Sequence, residues 1–434
     1  MQLSNKGSIA SALATATCSL LASQSVAAET PSDPNPWQFD TALLYYGETD
    51  RVTAIEGVIN ASKDFGDEHI FNGKLVIDAL TGASATGAVA QPYAQTFTRP
   101  SGQGQYTIGA NEVPLDDTFH DTRLQVSGQW TQPISENYRV SGGLQMSNEY
   151  DYQSIVLNGS IARDFNQKNS TLSLGMSYAF DTIKPEGGLP VAFSSMAVYD
   201  DDEYESEDEY DDDYNATRND DSDTKNTLDL MLGYTQVINR RTIMQFNYGI
   251  SKVDGYTTDP FKVLSVVDSE GYTQANLYEN RPDSRTKQSF FWQTKYAADV
   301  GVADISYRFS TDDWEIDSHT VDTRFRFYLS ENSYLQPHFR YYRQSAADFY
   351  RPFLLQDQAI PEYASADYRL GEMTAYTIGL KYGMTLENGD ELGFRLEYYQ
   401  QDPKNAGFNA PGVLQQMDLY PSVKAIIAQV NYRF

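Results

Sequence analysis

The chain ends AIIAQVNYRF, Ala425 to Phe434, and the spacing of its apolar residues decides how the rest is read. In an extended chain Ile426, Ala428, Val430, Tyr432 and Phe434 fall on one face, and Ile427, Gln429, Asn431 and Arg433 on the other. Worked back from this end, the same two-residue period recurs in segments of about ten residues, the length a membrane-crossing strand needs. The pattern predicts strands at 37–46, 51–62, 69–80, 121–132, 136–147, 152–163, 170–180 and 225–236. It continues at 241–252, 286–297, 301–310, 315–328, 333–345, 374–386, 390–402 and 422–434, sixteen in all.

The connections sort by length. Every second one is short and polar (DFGDEH, PIS, DFNQKN, VINR, DVG, SENS, ENG), and the long ones (81–120, 181–224, 253–285, 346–373, 403–421) all fall at the other end. A soluble sandwich has no reason to sort its loops in this way. An even strand count with sorted loops implies an all-β fold, a transmembrane antiparallel β-barrel of about 16 strands with short periplasmic turns and long extracellular loops. Within LDLMLGY the outward set is then Leu228, Leu230, Leu232 and Tyr234, and in ELGFRLEYY it is Leu392, Phe394, Leu396 and Tyr398. The last strand, ending in an aromatic residue, resembles the targeting strand that Gram-negative outer-membrane barrels present to the barrel assembly machinery.

The other terminus is consistent with export. Residues 1–28 read as a signal peptide, with Lys6, a weakly apolar run from Ile9 to Leu21, and Val26, Ala27 and Ala28 before the cut, leaving 29–434 as the barrel. The single cysteine, Cys18, lies in that segment, so the mature chain has no disulfide, thiolate metal site or cysteine nucleophile. The mean hydropathy of −0.52 and the 32 tyrosines and 21 phenylalanines describe a polar, aromatic-rich protein. A formal charge of −28 argues against nucleic acid as a partner.

From Asp181 onward the phrases DTIKPEGG, DPFKVLSVVD, YENRPDSRTKQS, TDDWEIDSHTVDTR, RYYRQSAADFY and SADYRLG resemble a family of Gram-negative outer-membrane proteins filed as domain of unknown function 3570. The resemblance covers most of the mature chain and is densest from Asp259 to Gly371. It implies an outer-membrane β-barrel without an established activity. It also implies genetic neighbours for flavin attachment and thioredoxin-like proteins, hence a redox or metal-handling partner in the envelope.

Strand parity places Arg324, Arg326, Arg340, Lys381, Arg395 and Arg433 on the inner wall, a basic stripe interrupted by Asp322 and Glu397. Rows of like charge on a pore wall set ion selectivity, whereas bases paired with luminal carboxylates leave no net field. The family phrases gather at the outer mouth Asp283, Arg285, Asp312, Asp313, Trp314, Arg343, Asp348, Asp367 and Arg369, an expected ion-pair network or a ligand site. The stretch Asp200 to Tyr214, DDDEYESEDEYDDDY, holds eleven acids in fifteen residues, within the acidic extracellular loop 181–224. A block of like charge is expected to stay extended and solvated. Its alternatives are loose Ca²⁺ or Mg²⁺ binding through Asp211, Asp212 and Asp213, bridging to lipopolysaccharide phosphates, or folding inward against the basic stripe. The sequence lacks the central Gly and terminal Glu of an EF-hand loop. No catalytic residue is assigned, because His69, His120, His319 and His338 share no motif with a nucleophile. These readings lead to a passive, porin-like channel for small solutes or ions without a bound cofactor, the alternative being a non-conducting scaffold.

Overall fold

A computed structural model describes residues 36–199 and 206–434. Residues 1–35, which include the expected signal segment 1–28, and Asp200 to Glu205 lie outside the described residues. The first eight wall strands are β1 (Gln38–Glu48), β2 (Thr53–Asp64), β3 (Ile70–Ala85), β6 (Leu115–Ser135), β7 (Tyr138–Asn148), β8 (Tyr152–Phe165), β9 (Ser170–Ile183) and β10 (Asp223–Asn239). The other eight are β11 (Thr242–Gly255), β14 (Ser284–Ala298), β15 (Gly301–Asp312), β16 (Ser318–Ser330), β17 (Ser333–Gln344), β19 (Met373–Thr385), β20 (Glu391–Pro403) and β21 (Val423–Arg433). They form one closed antiparallel barrel of sixteen strands in chain order.

The closure is made by the C-terminal stretch, Ala425 to Phe434. β21 pairs with β1 from Asp40↔Arg433 to Glu48↔Ala425, and the amides of Phe39 and Phe434 each donate to the other's carbonyl at 2.8 and 3.0 Å. No backbone edge is left to be satisfied by lipid, which is the condition for crossing a bilayer with strands. The alternation sorts side chains as a barrel in lipid requires. On β10, Leu230 and Leu232 are 41% and 48% exposed on the outside, while Asp229, next to Leu230, is buried on the inner face. Around the end that holds the termini, Phe39 stacks on Phe434 at 5.2 Å, and Phe65 meets Trp130 at 5.5 Å. These rings form part of an aromatic girdle.

Each predicted strand has its counterpart, with ends shifted by a few residues. The twelfth starts at Ser318 rather than at 315, because Glu315 takes a left-handed turn (φ 64°) and Ile316 packs in a core with Trp314 and Phe349.

The long loops are folded. They carry secondary structure of their own: β4 (Gln95–Thr98) with β5 (Gln105–Ile108), and a three-stranded sheet of β13 (Thr273–Tyr278), β12 (Val263–Val267) and β18 (Leu354–Leu355). These pieces make a cap with a hydrophobic interior in which Phe97, Leu264 and Leu414 are fully buried. The β12–β13 hairpin is its hub. Thr86, in the loop after β3, accepts from the Val263 amide at 2.9 Å, and Ser265 Oγ accepts from the Val89 amide at 3.1 Å. The Val413 amide, in the loop after β20, donates to Glu270 at 2.8 Å. Six wall strands, β6 to β11, separate the first pair of loops, and six, β14 to β20, separate the second. Contacts between loops so far apart along the wall have to cross the mouth.

Two glycines make this crossing possible. Gly87 (φ +97°) and Gly271 (φ +85°) hold left-handed conformations, and a Cβ on them would stand 2.5 Å from the carbonyl oxygens of Val263 and Pro411.

The described part of the acidic stretch is not extended, contrary to what its charge predicts. Glu207–Ala216 is a helix, α1, capped by Ser206, whose hydroxyl accepts from the Glu209 amide at 3.3 Å. Tyr210 and Tyr214, one turn apart, are both buried, and the Tyr214 hydroxyl donates to Pro100 at 3.1 Å. The acids look outward and the tyrosines anchor the helix to the loop between β4 and β5. Its described contacts are with the cap and not with the luminal bases.

Candidate functional site

The bore and the cap together form the site. On the inner wall, register aligns the charged residues in rows. One row runs Asp304, Arg324, His338, Gly379, Glu397 across β15, β16, β17, β19 and β20. Here charges alternate and are paired. His338 Nδ1 lies 2.8 Å from Glu397 Oε1 and Nε2 lies 3.0 Å from Asp322 Oδ2, while Arg324 reaches Asp322 at 3.4 Å. The imidazole is thus held between two carboxylates, one at each ring nitrogen. Glu397 reaches His338 across β19 because Gly379 has no side chain; a Cβ there would collide with the Glu397 side chain.

The neighbouring row runs through Arg326 on β16, Lys381 on β19 and Arg395 on β20, with Lys381 directly opposite Arg395. All six bases assigned to the pore wall lie on the luminal side, opposite in parity to the exposed Phe327, Phe339, Leu380, Leu396 and Val430. Their pairing differs. Arg324, Arg395 and Arg433 have carboxylates at 3.4 Å (Asp322), 3.9 Å (Glu397) and 3.3 Å (Asp40). Among the described residues no carboxylate lies within 4.0 Å of Arg326, Arg340 or Lys381.

The mouth residues divide. Arg285 pairs with Asp312, Nε at 2.9 Å, and its guanidinium lies 4.4 Å from the Trp314 ring centre. Asp313 accepts from the Thr286 amide at 2.9 Å. Arg343 only approaches Glu372 at 3.8 Å, while Asp283 and Asp348 contribute backbone groups, to Gly255 and Trp314. Asp367 and Arg369 belong to a separate network inside the cap. Arg369 bonds Asp367 at 2.8 Å through Nε and Asp259 at 2.7 Å through Nη2; Arg281 bonds Asp367 at 2.9 Å and forms an ion pair with Glu279 at 2.6 Å, without hydrogen-bond geometry. Burial alone would raise the Asp367 carboxyl, but Arg369 and Arg281 overcome it and hold the group well below the usual carboxylate range. Burial dominates at Glu279 and pushes its carboxyl up, only partly countered by Arg281. A single network of nine mouth residues is therefore not what forms. The sequence reading missed Asp259, Lys262, Glu279 and Arg281, although all four stand inside the phrases DPFK and YENR that carried the resemblance.

Asp211, Asp212 and Asp213 are exposed on α1, where consecutive positions diverge by about 100° and cannot converge on one ion. The carboxylates that do converge are Asp121, Glu149 and Asp151, with ligand atoms within 4.8 Å of one another at the distal end of β6 to β8. Burial and then Asp121 push Glu149 up to about 8 and Asp151 up to about 6.

A closed sixteen-strand antiparallel barrel with apolar exterior, polar bore and sorted connections is an outer-membrane-type β-barrel. Residues 10–434 match the family described as "Protein of unknown function (DUF3570)", and the chain belongs to that family. No curated protein matches it. Solved barrels are similar at low identity. An outer membrane protein of Vibrio cholerae, the loop L8 deletion mutant of OmpT, is 8% identical, with TM-score 0.39, over 92% of this chain and 99% of that one. OccK2 of Pseudomonas aeruginosa, in complex with glucuronate, is 10% identical with TM-score 0.41 over 93% and 98%. CdiB from Acinetobacter baumannii is 7% identical with TM-score 0.44 over 92% and 60%.

Proposed function

We propose that the protein is an outer-membrane channel for small hydrophilic solutes, with its bore kept shut at the extracellular mouth by the folded cap. The observation that carries this reading is the inner wall. Ionised side chains such as Asp304, Arg324, Arg340, Lys381 and Arg395 face inward on successive strands, and charges at membrane depth are tolerated only beside water or partners. A watered bore closed by loops is a conduit with a door. The door is held by the Asp259, Glu279, Arg281, Asp367 and Arg369 pairs, which tie the β11–β14 loop to the β17–β19 loop. Solute passage requires those loops to part. The exposed acids of α1 face the outer medium, where divalent cations and lipopolysaccharide phosphates are their available company.

The covered mouth also favours a second reading, a non-conducting scaffold whose cap is the docking face for an envelope partner. Planar-bilayer recordings separate the two. The wild type is expected to show brief, rare openings, and Arg369→Met, which removes the Arg369–Asp259 tie between the β11–β14 and β17–β19 loops, long ones. Silence from both, with barrels shown to be folded by their heat-dependent gel mobility, overturns the channel and leaves the scaffold.

A further inference from the structure

Within the bore, two unpaired bases share one aromatic ring. The Arg326 guanidinium lies 4.2 Å from the Tyr334 ring centre and the Lys381 ammonium 5.9 Å from it. Tyr334 faces the lumen on β17 and lies over Gly383 of β19, where any Cβ would collide with its ring. Arg395, directly opposite Lys381, adds a third positive charge held only loosely by Glu397 at 3.9 Å. Like charges facing each other across a strand pair destabilise a sheet. In and beside the adjoining row the chain supplies Asp304, Glu397 and Asp322 as partners; for Arg326 and Lys381 no carboxylate lies within 4.0 Å among the described residues.

We infer that Arg326 and Lys381, set about Tyr334 with Arg395 beside them, form a luminal binding subsite for small oxyanions, the carboxylate or phosphate groups of the solutes that pass. This inference rests on the channel reading and names its solute class. The chemistry fits. A guanidinium offers a planar fork for two oxygens of a carboxylate or phosphate, and an ammonium adds a mobile point charge. The ring holds both bases by cation–π attraction without neutralising them, as a carboxylate would. The site lies toward the terminal end of the bore, past the paired row. An anion entering from the mouth therefore passes Arg340 and then the paired His338–Glu397 row before it reaches Arg326 and Lys381.

The test is titration calorimetry of the purified full-length barrel in detergent with inorganic phosphate and, separately, with succinate, followed by bilayer recordings. Wild type is expected to bind saturably. Arg326→Gln/Lys381→Gln is expected to bind about tenfold more weakly or worse, the loss of a charge-assisted contact. Lys381→Arg is expected to retain binding, and so is Arg241→Gln, which alters a turn at the terminal end where Arg241 pairs with Asp299 at 2.7 Å. Absence of saturable binding in the folded wild type overturns the subsite whether or not the protein conducts. Undiminished binding in the double variant overturns it as well. Phosphate binding with silent bilayers overturns the channel and leaves the subsite standing. Should the double variant fail to fold, the single Lys381→Gln substitution decides, since undiminished phosphate affinity in it also overturns the subsite.

Discussion

Replacing Arg369 with Met is expected to unlatch the cap while leaving the barrel intact. Arg369 holds Asp367 through Nε at 2.8 Å and Asp259 through Nη2 at 2.7 Å, and both acids are buried, Asp367 to 1% exposure. Removing one partner of a buried ion pair costs about 3–5 kcal/mol, because the remaining charge has no water to receive it. The lower end applies here. Asp367 keeps Arg281 at 2.9 Å, and Lys262 still acts electrostatically on Asp259. A loss of about 3 kcal/mol confined to the closed cap multiplies the open-to-closed ratio by about a hundredfold. The same contacts set a pH dependence. The Asp367 carboxyl is held below its ordinary range in the closed cap, so its stabilisation is full above that range and is lost as pH falls through the folded value. Wild-type openings should therefore lengthen in acid, and the Arg369→Met barrel should lose most of that response. The assays are single-channel open time and the rate of protease cleavage within 257–283 and 346–372. The comparison variant is Arg343→Met, whose guanidinium is 59% exposed and 3.8 Å from Glu372; it should change neither. Unchanged open time and unchanged cleavage in folded Arg369→Met would refute the latch.

Gly379→Ala should lower the thermal midpoint of the barrel, because the added methyl displaces Glu397 from His338; overpacking of this kind costs about 1–3 kcal/mol. Adding Glu397→Ala should recover part of that loss, and a double variant no better than the single one would contradict the proposed route of Glu397 across β19. At the distal turn, Glu149 is raised to about 8 by burial and Asp121, so the folded state loses stability as pH rises through that value. Glu149→Gln should therefore raise the midpoint at pH values above it and leave the midpoint unchanged below the ordinary glutamate value; equal effects at both would remove the Asp121 repulsion from the explanation.

The wall was legible in the sequence because its cause is local. Two-residue alternation is written into segments such as LDLMLGY, and the only global input needed was that short and long connections alternate. Luminal parity follows from the same period, which is why Arg326, Arg340 and Lys381 could be placed without a structure. Their pairing could not. Whether Arg324 is neutralised depends on Asp322, which adjoins it on β16, but the His338–Glu397 contact depends on register across three strands and on Gly379 between them. The cap was illegible for a related reason. Its stability comes from loops that are distant in sequence, such as Thr86 with Val263 and Asn280 with Ala364, so no window of sequence holds its pattern. In the acidic run, charge density masked a weaker signal: Tyr210 and Tyr214, four residues apart, give the one buried face of α1.

The distribution of charge then matters more than its sum. The chain carries −28, yet Arg326, Arg340 and Lys381 stand together in one sector of the bore, while α1 turns its acids to the medium outside the cap. An anionic solute is repelled at the mouth and attracted within. The two effects respond differently to salt, since exposed charges are screened beyond a Debye length of about 10 Å at 0.1 M whereas those inside a low-dielectric wall are screened much less. Raising ionic strength should consequently speed anion capture by weakening the outer repulsion before it weakens the inner binding. On this reading the cap restricts anion entry as much by its acids as by its packing.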